Sequence, residues 1–188
     1  MIQEQMMESV IAEILRSVGE DPERKGLKDT PRRVVEMFRE LFSGVLKDPS
    51  QELQGVFEED YNDLVLLRNI PFYSMCEHHL IPFFGTANLG YLPNSRVAGV
   101  SKMVRALEVL THRPQLQERL TAQLADTMFS ALQPEGAAVV LKAEHLCMSM
   151  RGVQKPGTIV VTSAIRGSFS RESLARREIL AILDGSQD

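Results

Sequence analysis

A chain of 188 residues, 44% hydrophobic and 24% charged, carries enough apolar material for one packed domain with a small helical appendage, and too much for a disordered chain. Its net charge of −4 excludes a general affinity for nucleic acid or anionic membrane, and no apolar run approaches the ~20 residues that span a bilayer. The polar N-terminus lacks an apolar signal core, and with two cysteines the expectation is a cytoplasmic protein whose thiols are free or bind metal.

Residues 3–18 show a helical period, with Met7, Val10, Ile11, Ile14 and Leu15 on one face, until Gly19 breaks it. Thr30-Pro31 reads as a second helix start, Thr30 as N-cap and Pro31 in the first helical position, with an end at Ser43-Gly44. Residues 47–60 read as an acidic loop. Leu64 to Leu67 and Phe83 to Tyr91 read as strands, and Val97 to Val100 as a short one. Ser101 is placed as the cap of a helix ending near His112. Pro114 is placed as the start of another, with Leu116, Leu120, Leu124 and Met128 every fourth residue. Gly136 to Ala143 and Thr158 to Ile165 are apolar strands, and 171–183 a last helix. This order predicts an α+β fold: an antiparallel sheet with helices packed on one face, behind an N-terminal helical segment of residues 1–46.

The rare residues are not scattered. Cys76-Glu77-His78-His79 holds one of the two cysteines and two of the four histidines, and His145 precedes Cys147 by two positions. Cys76 and His79, three apart, can grip one ion from a single turn, and Cys147 can add a second sulfur. Sulfur with imidazole favours zinc. Three protein ligands are the number of a catalytic zinc, which keeps a position for water and lowers its pKa. His78 is expected to point away from His79, as neighbours do in extended chain. His145 is expected beside the metal, on the same strand face as Cys147. Two imidazoles left over suit general acid/base work. His112, near a helix C-terminus, reads as structural.

Ser101, Lys102 and Arg105 open one helix, where a hydroxyl and two cations make an anion site. Arg151 and Lys155 follow Cys147 closely, and together these groups could hold a polyphosphate. Glu118, beside Gln117, either favours the positive end of its helix or accepts from adjacent N–H donors on a heterocycle such as guanine; spacing leaves both open. The residues by themselves describe a zinc hydrolase acting on a phosphorylated polar substrate.

Five stretches carry a resemblance. They are Ser74-Met75-Cys76-Glu77-His78-His79-Leu80, Gly99-Val100-Ser101-Lys102, Gln115-Leu116-Gln117-Glu118-Arg119-Leu120-Thr121, His145-Leu146-Cys147-Met148, and the run from Met150-Arg151-Gly152-Val153 to Gly157. In order, over about residues 27–170, the chain resembles the GTP cyclohydrolase I family. The resemblance implies hydrolysis of GTP at C8 of its guanine, release of formate, and rearrangement to 7,8-dihydroneopterin triphosphate, the first step of tetrahydrofolate and pterin biosynthesis. It implies Zn2+ on Cys76, His79 and Cys147, acid/base roles for His78 and His145, and support from Glu77. Glu118 with Gln117 would read the guanine edge, while Ser101, Lys102, Arg105, Arg151 and Arg33 would hold the triphosphate. Glu36 stands where some bacterial relatives have a second cation after Arg33.

The same resemblance implies a tunnelling fold over residues 47–188, in which sheets join across subunits into a barrel. Its assembly would be a homodecamer of two pentamers with active sites at subunit interfaces, binding neither nucleic acid nor membrane. A related nitrile reductase of queuosine synthesis uses a cysteine nucleophile without this triad, so the two cysteine-histidine motifs argue against it. A silent family member would have lost His78 or His145, and both are present.

Overall fold

The computed structural model describes residues 4–170 and 174–184. Two compact units divide the chain, Met1–Ser43 and Gly44–Asp188. In the first, α1 (Glu4–Ser17) packs on α2 (Thr30–Leu41), and Arg39 of α2 pairs with Glu4 of α1. Met7, Ile11 and Leu15 are half-buried as the period requires, but Val10 and Ile14 stay exposed beside Met6 and Val18. The cap of α2 is Asp29, one residue before Thr30, and its side chain makes no capping bond.

In the second unit a 3-10 turn (Pro49–Leu53) leads to β1 (Phe57–Glu58), β2 (Val65–Cys76), β3 (Pro82–Leu92) and β4 (Arg96–Val97). Then come α3 (Val100–Thr111), β5 (Pro114–Gln115), α4 (Gln117–Leu132), β6 (Gly136–His145) and the single turn α5 (Leu146–Ser149). The chain closes with β7 (Ile159–Gly167), a 3-10 turn and α6 (Leu174–Asp184); residues 171–173 of the expected last helix lie outside the described residues. Five strands form one sheet in the order β5-β2-β3-β6-β7, antiparallel except where β5 runs parallel to β2. β1 and β4 make a separate pair.

Three expectations need correction. The strand from Leu64 does not stop at Leu67: β2 continues to Cys76 across a bulge between Leu67 and Ile70. There Asn69 takes φ 58° and its N–H donates to the buried Asn88 Oδ1 at 2.7 Å, so the interruption seen in the sequence is absorbed rather than ending the strand. Pro114 does not open a helix. With Gln115 it adds a short strand to β2, and α4 begins at Gln117. Likewise Gly99, not Ser101, precedes the helix α3.

Helices cover both faces of the sheet, not one. Ala137, Val139, Leu141 and Ala143 of β6 pack with Leu107 and Leu110 of α3 and Leu120, Leu124 and Met128 of α4. Ala138 and Val140, pointing the other way, pack with Ile179 and Leu183 of α6. A strand apolar at every position has to be covered twice, and α6 supplies the second cover. Each large side chain buried here contributes on the order of 2 kcal/mol. β3 and β6 approach so closely that a Cβ on Gly85 would lie 1.8 Å from the Lys142 carbonyl oxygen. Among the described residues no helix is long and apolar enough to cross a membrane.

Candidate active site

The registers Ser74↔Phe83 and Phe83↔His145 bring the end of β2, the start of β3 and the end of β6 to one end of the sheet. Both cysteine-histidine motifs are therefore neighbours in space. After Cys76 the chain reverses: the Cys76 carbonyl accepts from Leu80 N–H at 2.9 Å, Cys76 N–H donates to the Ile81 carbonyl at 3.0 Å, and Leu80 takes φ 50°. Short β5 braces this turn, its Gln115 carbonyl accepting from Glu77 N–H at 3.0 Å.

In the turn, Cys76 Sγ lies 3.8 Å from His79 Nδ1. Two ligands on one tetrahedral zinc, at ~2.3 Å for sulfur and ~2.0 Å for nitrogen, sit about 3.6 Å apart, so this pair fits the ion with little movement. Cys147 lies near Cys76: burial first, then the Cys76 sulfur, pushes the Cys147 thiol up, while Arg151 nearby opposes the rise, but the donor atoms gathered within 4.8 Å of one another are those of Cys76, His78 and His79, without Cys147. Two neighbouring thiols shielded from water are a donor set that a divalent cation would stabilise as thiolates.

The expected division of the motif is only partly visible. Donor atoms of Cys76, His78 and His79 all lie within 4.8 Å of one another, so His78 does not point away. The alternation argument applies to extended chain, whereas His78 and His79 sit in a turn, their rings 6.0 Å apart at 78°. The strand-face argument for Cys147 fails for a similar reason. β6 ends at His145, and Cys147 lies in the helical turn α5. It reaches Cys76 nonetheless.

His145 is held on three sides. Its ring stacks on Phe83, centroids 4.6 Å apart and planes 3° from parallel. Nε2 meets Gln117 Oε1 at 2.7 Å, and Glu118 lies near enough to favour the imidazolium. Burial outweighs Glu118 and pushes the His145 pKa below its ordinary value. Gln117 is buried, and its amide nitrogen faces the Leu141 carbonyl, the Val160 carbonyl and Thr162 Oγ1 at 3.0–3.2 Å. Its side chain is thus engaged inside the protein, whereas Glu118 is exposed.

Glu77 pairs with Arg119 through both carboxylate oxygens, which holds its carboxyl below the usual range. Arg119, Phe83 and Thr162 escape sequence reasoning. Arg119 stands two positions after Gln117 in a helix start already assigned, and a lone Phe in a strand reads as core. Arg105 and Ser101 are exposed on α3, but the Lys102 ammonium is turned to the carbonyls of Gln54 and Gly55. Arg33, in the first unit, lies 3.8 Å from Asp29. His112 is structural: its Nδ1 meets the Glu108 carbonyl at 2.7 Å.

Comparison with known proteins identifies the family. GTP cyclohydrolase 1 of Halalkalibacterium halodurans is 49% identical, over 98% of this chain and 98% of its own. That of Geobacillus kaustophilus is 52% identical, over 94% and 95%. A solved structure of the archaeosine synthase QueF-Like in the apo form superposes with a TM-score of 0.43 at 20% identity, covering 56% of this chain and 94% of that one, an overlap too slight to bear on fold or activity. The profile of GTP cyclohydrolase I matches residues 7–184. With that match running through every element of both units, the chain belongs to the GTP cyclohydrolase I family.

Proposed function

We propose that this enzyme converts GTP to 7,8-dihydroneopterin triphosphate and formate in a zinc-dependent reaction, the entry step to tetrahydrofolate and related pterins. Family membership carries GTP cyclohydrolase activity. The observation that supports the finer reading is the approach of Cys76 Sγ to His79 Nδ1 at 3.8 Å, with the Cys147 thiol in the neighbourhood of Cys76. Cys76, His79 and Cys147 would hold the ion. When bound, zinc supplies Lewis acidity that makes water a nucleophile near neutral pH.

The chain's own groups divide the remaining work. His78, exposed in the turn, and His145, stacked on Phe83, carry protons to and from the purine and ribose atoms. Burial pushes the His145 pKa down, which favours the neutral ring, the form that can accept a proton. Glu118 accepts from the two adjacent N–H donors on the guanine edge. Arg151, beside Cys147, supplies positive charge for the triphosphate, with Ser101, Lys102, Arg105 and Arg33 contributing. Glu77 steadies the metal turn through Arg119.

Assembly into a decamer is part of the proposal. β7 ends the sheet with Ile159 and Val161 exposed, an edge that a monomer would leave prone to aggregation and that cyclic association would cover. The deciding experiment incubates zinc-loaded protein with GTP and follows formate release and, after oxidation, pterin fluorescence. Product in proportion to metal content is expected; none at verified occupancy overturns the reading.

A further inference from the structure

We infer that Gln117 is a positioning residue that fixes the tautomer of His145, keeping the hydrogen on Nε2 and leaving Nδ1 bare. The inference rests on the reading above that His145 is an acid/base group.

The argument is an accounting of hydrogens. Carbonyl oxygens only accept, so the face of the Gln117 amide turned to Leu141 and Val160 must be its NH2 group, which donates to them at 3.2 and 3.0 Å. That orientation is dictated by the acceptors and places the amide oxygen on the opposite side, 2.7 Å from His145 Nε2. An amide oxygen accepts, so Nε2 must carry the hydrogen.

The hydroxyls agree. Thr121 Oγ1 donates to the Gln117 backbone carbonyl at 2.6 Å, which uses its one hydrogen. In the 2.6 Å contact between Thr121 Oγ1 and Thr162 Oγ1, Thr162 is then the donor. Its lone pairs face the Gln117 NH2, 3.1 Å away, whose two hydrogens are shared among three acceptors. All three acceptors around the NH2 agree on the amide orientation that puts its oxygen on Nε2. Stacking on Phe83 holds the imidazole plane, and a flip of the ring within that plane would lose the bond from Nε2 to Gln117 Oε1. Among the described residues Nδ1 has no hydrogen-bond partner.

This assigns the Gln117 side chain differently from a guanine contact, and the two roles separate by experiment. The chain has four histidines, so 15N-histidine labelling of the zinc-loaded protein gives few ring signals, and a His145→Gln sample identifies those of His145. Magic-angle-spinning NMR is expected to show His145 with Nε2 protonated and Nδ1 bare. Gln117→Met, close in volume but without an acceptor, should mix the tautomers and lower kcat roughly 10²-fold while KM for GTP stays within about twofold. A wild-type Nδ1–H tautomer would overturn the inference, as would a variant with raised KM and unchanged kcat. If Gln117→Met fails to fold, the wild-type spectrum still decides. Wild-type protein without activity on GTP but with the Nε2–H signal would support the tautomer assignment and sink the hydrolase reading on which its catalytic meaning rests.

Discussion

Arg119 grips Glu77 with a fork, Nη2 to Oε1 at 3.0 Å and Nη1 to Oε2, across 42 residues of sequence. The first turn of α4 is thereby fastened to the turn bearing Cys76 and His79. Since Gln117 of the same helical turn holds His145, one short piece of helix positions both motifs. Arg119→Lys keeps the charge but loses the fork. Zinc affinity, measured by competition with a chelator, should fall about tenfold, a usual loss when support outside the ligand set is removed. Unchanged affinity would show that the pair does not position the turn.

Cys147→Ser tests the ligand set. Metal content and formate release should fall together while sedimentation shows the same assembly as the parent. Dissociation of the assembly would instead assign the ion a structural duty.

Glu118 is exposed and acidic at the start of α4. Replacing it with Gln removes a charge-assisted acceptor, an interaction of roughly 1.5–3 kcal/mol, so kcat/KM for GTP should drop about tenfold or more. Inosine triphosphate lacks the exocyclic amine, and the variant should discriminate less between it and GTP. An undiminished preference for GTP would place guanine recognition elsewhere.

Glu144 anchors the loop after α5, accepting from Ser149 Oγ at 2.6 Å and from Gly157 N–H at 3.2 Å. Those bonds, the Ser149 hydroxyl first, hold its carboxyl below the usual range. A depressed carboxyl contributes fully above the unfolded pKa and loses its contribution as pH falls through the folded value. Protection of the Gly157 amide from hydrogen exchange, corrected for intrinsic rate, should therefore decline below about pH 4. Glu144→Gln should flatten that dependence, and a parent profile without the decline would contradict it.

Gly85→Ala sets a methyl against backbone, not a yielding side chain, where β3 meets β6 two residues from His145. The strands must part, at a cost of roughly 2–4 kcal/mol. Thermal unfolding should show a fall of several degrees in Tm; a change of a degree or less would mean the sheet can yield there.

What the sequence disclosed depended on whether the signal was local. The strand of Gly136 to Ala143 and the helix of Leu120, Leu124 and Met128 declare themselves by composition and period, and the structure has both. β2 was legible only as far as Leu67, since Asn69 and Pro71 look like breakers and only pairing with β3 makes a bulge of them. Pro114 misled because proline suits a helix start as well as an edge strand, and its partner Met75 is remote in sequence. In the site, rarity alone picked out Cys76, His79, His145 and Cys147. Which way His78 and Cys147 face depended on turns that residue counting treats as extended chain. The Gln117 network was hidden for a different reason: an amide near an active site reads the same whether it faces substrate or holds a neighbour.

Cys147 belongs to a segment made long after the turn at Cys76. On the ribosome, the hairpin of β2 and β3 emerges first, showing one thiol and two imidazoles. The second sulfur follows only when α3, α4 and β6 have been synthesised. Pairing of β6 with β3 is a contact across many residues, a kind that forms late in folding. On the proposed ligand set, a two-sulfur grip on an ion would exist only in a molecule whose sheet is finished, which would keep a nascent chain from closing around metal before the enzyme around it exists.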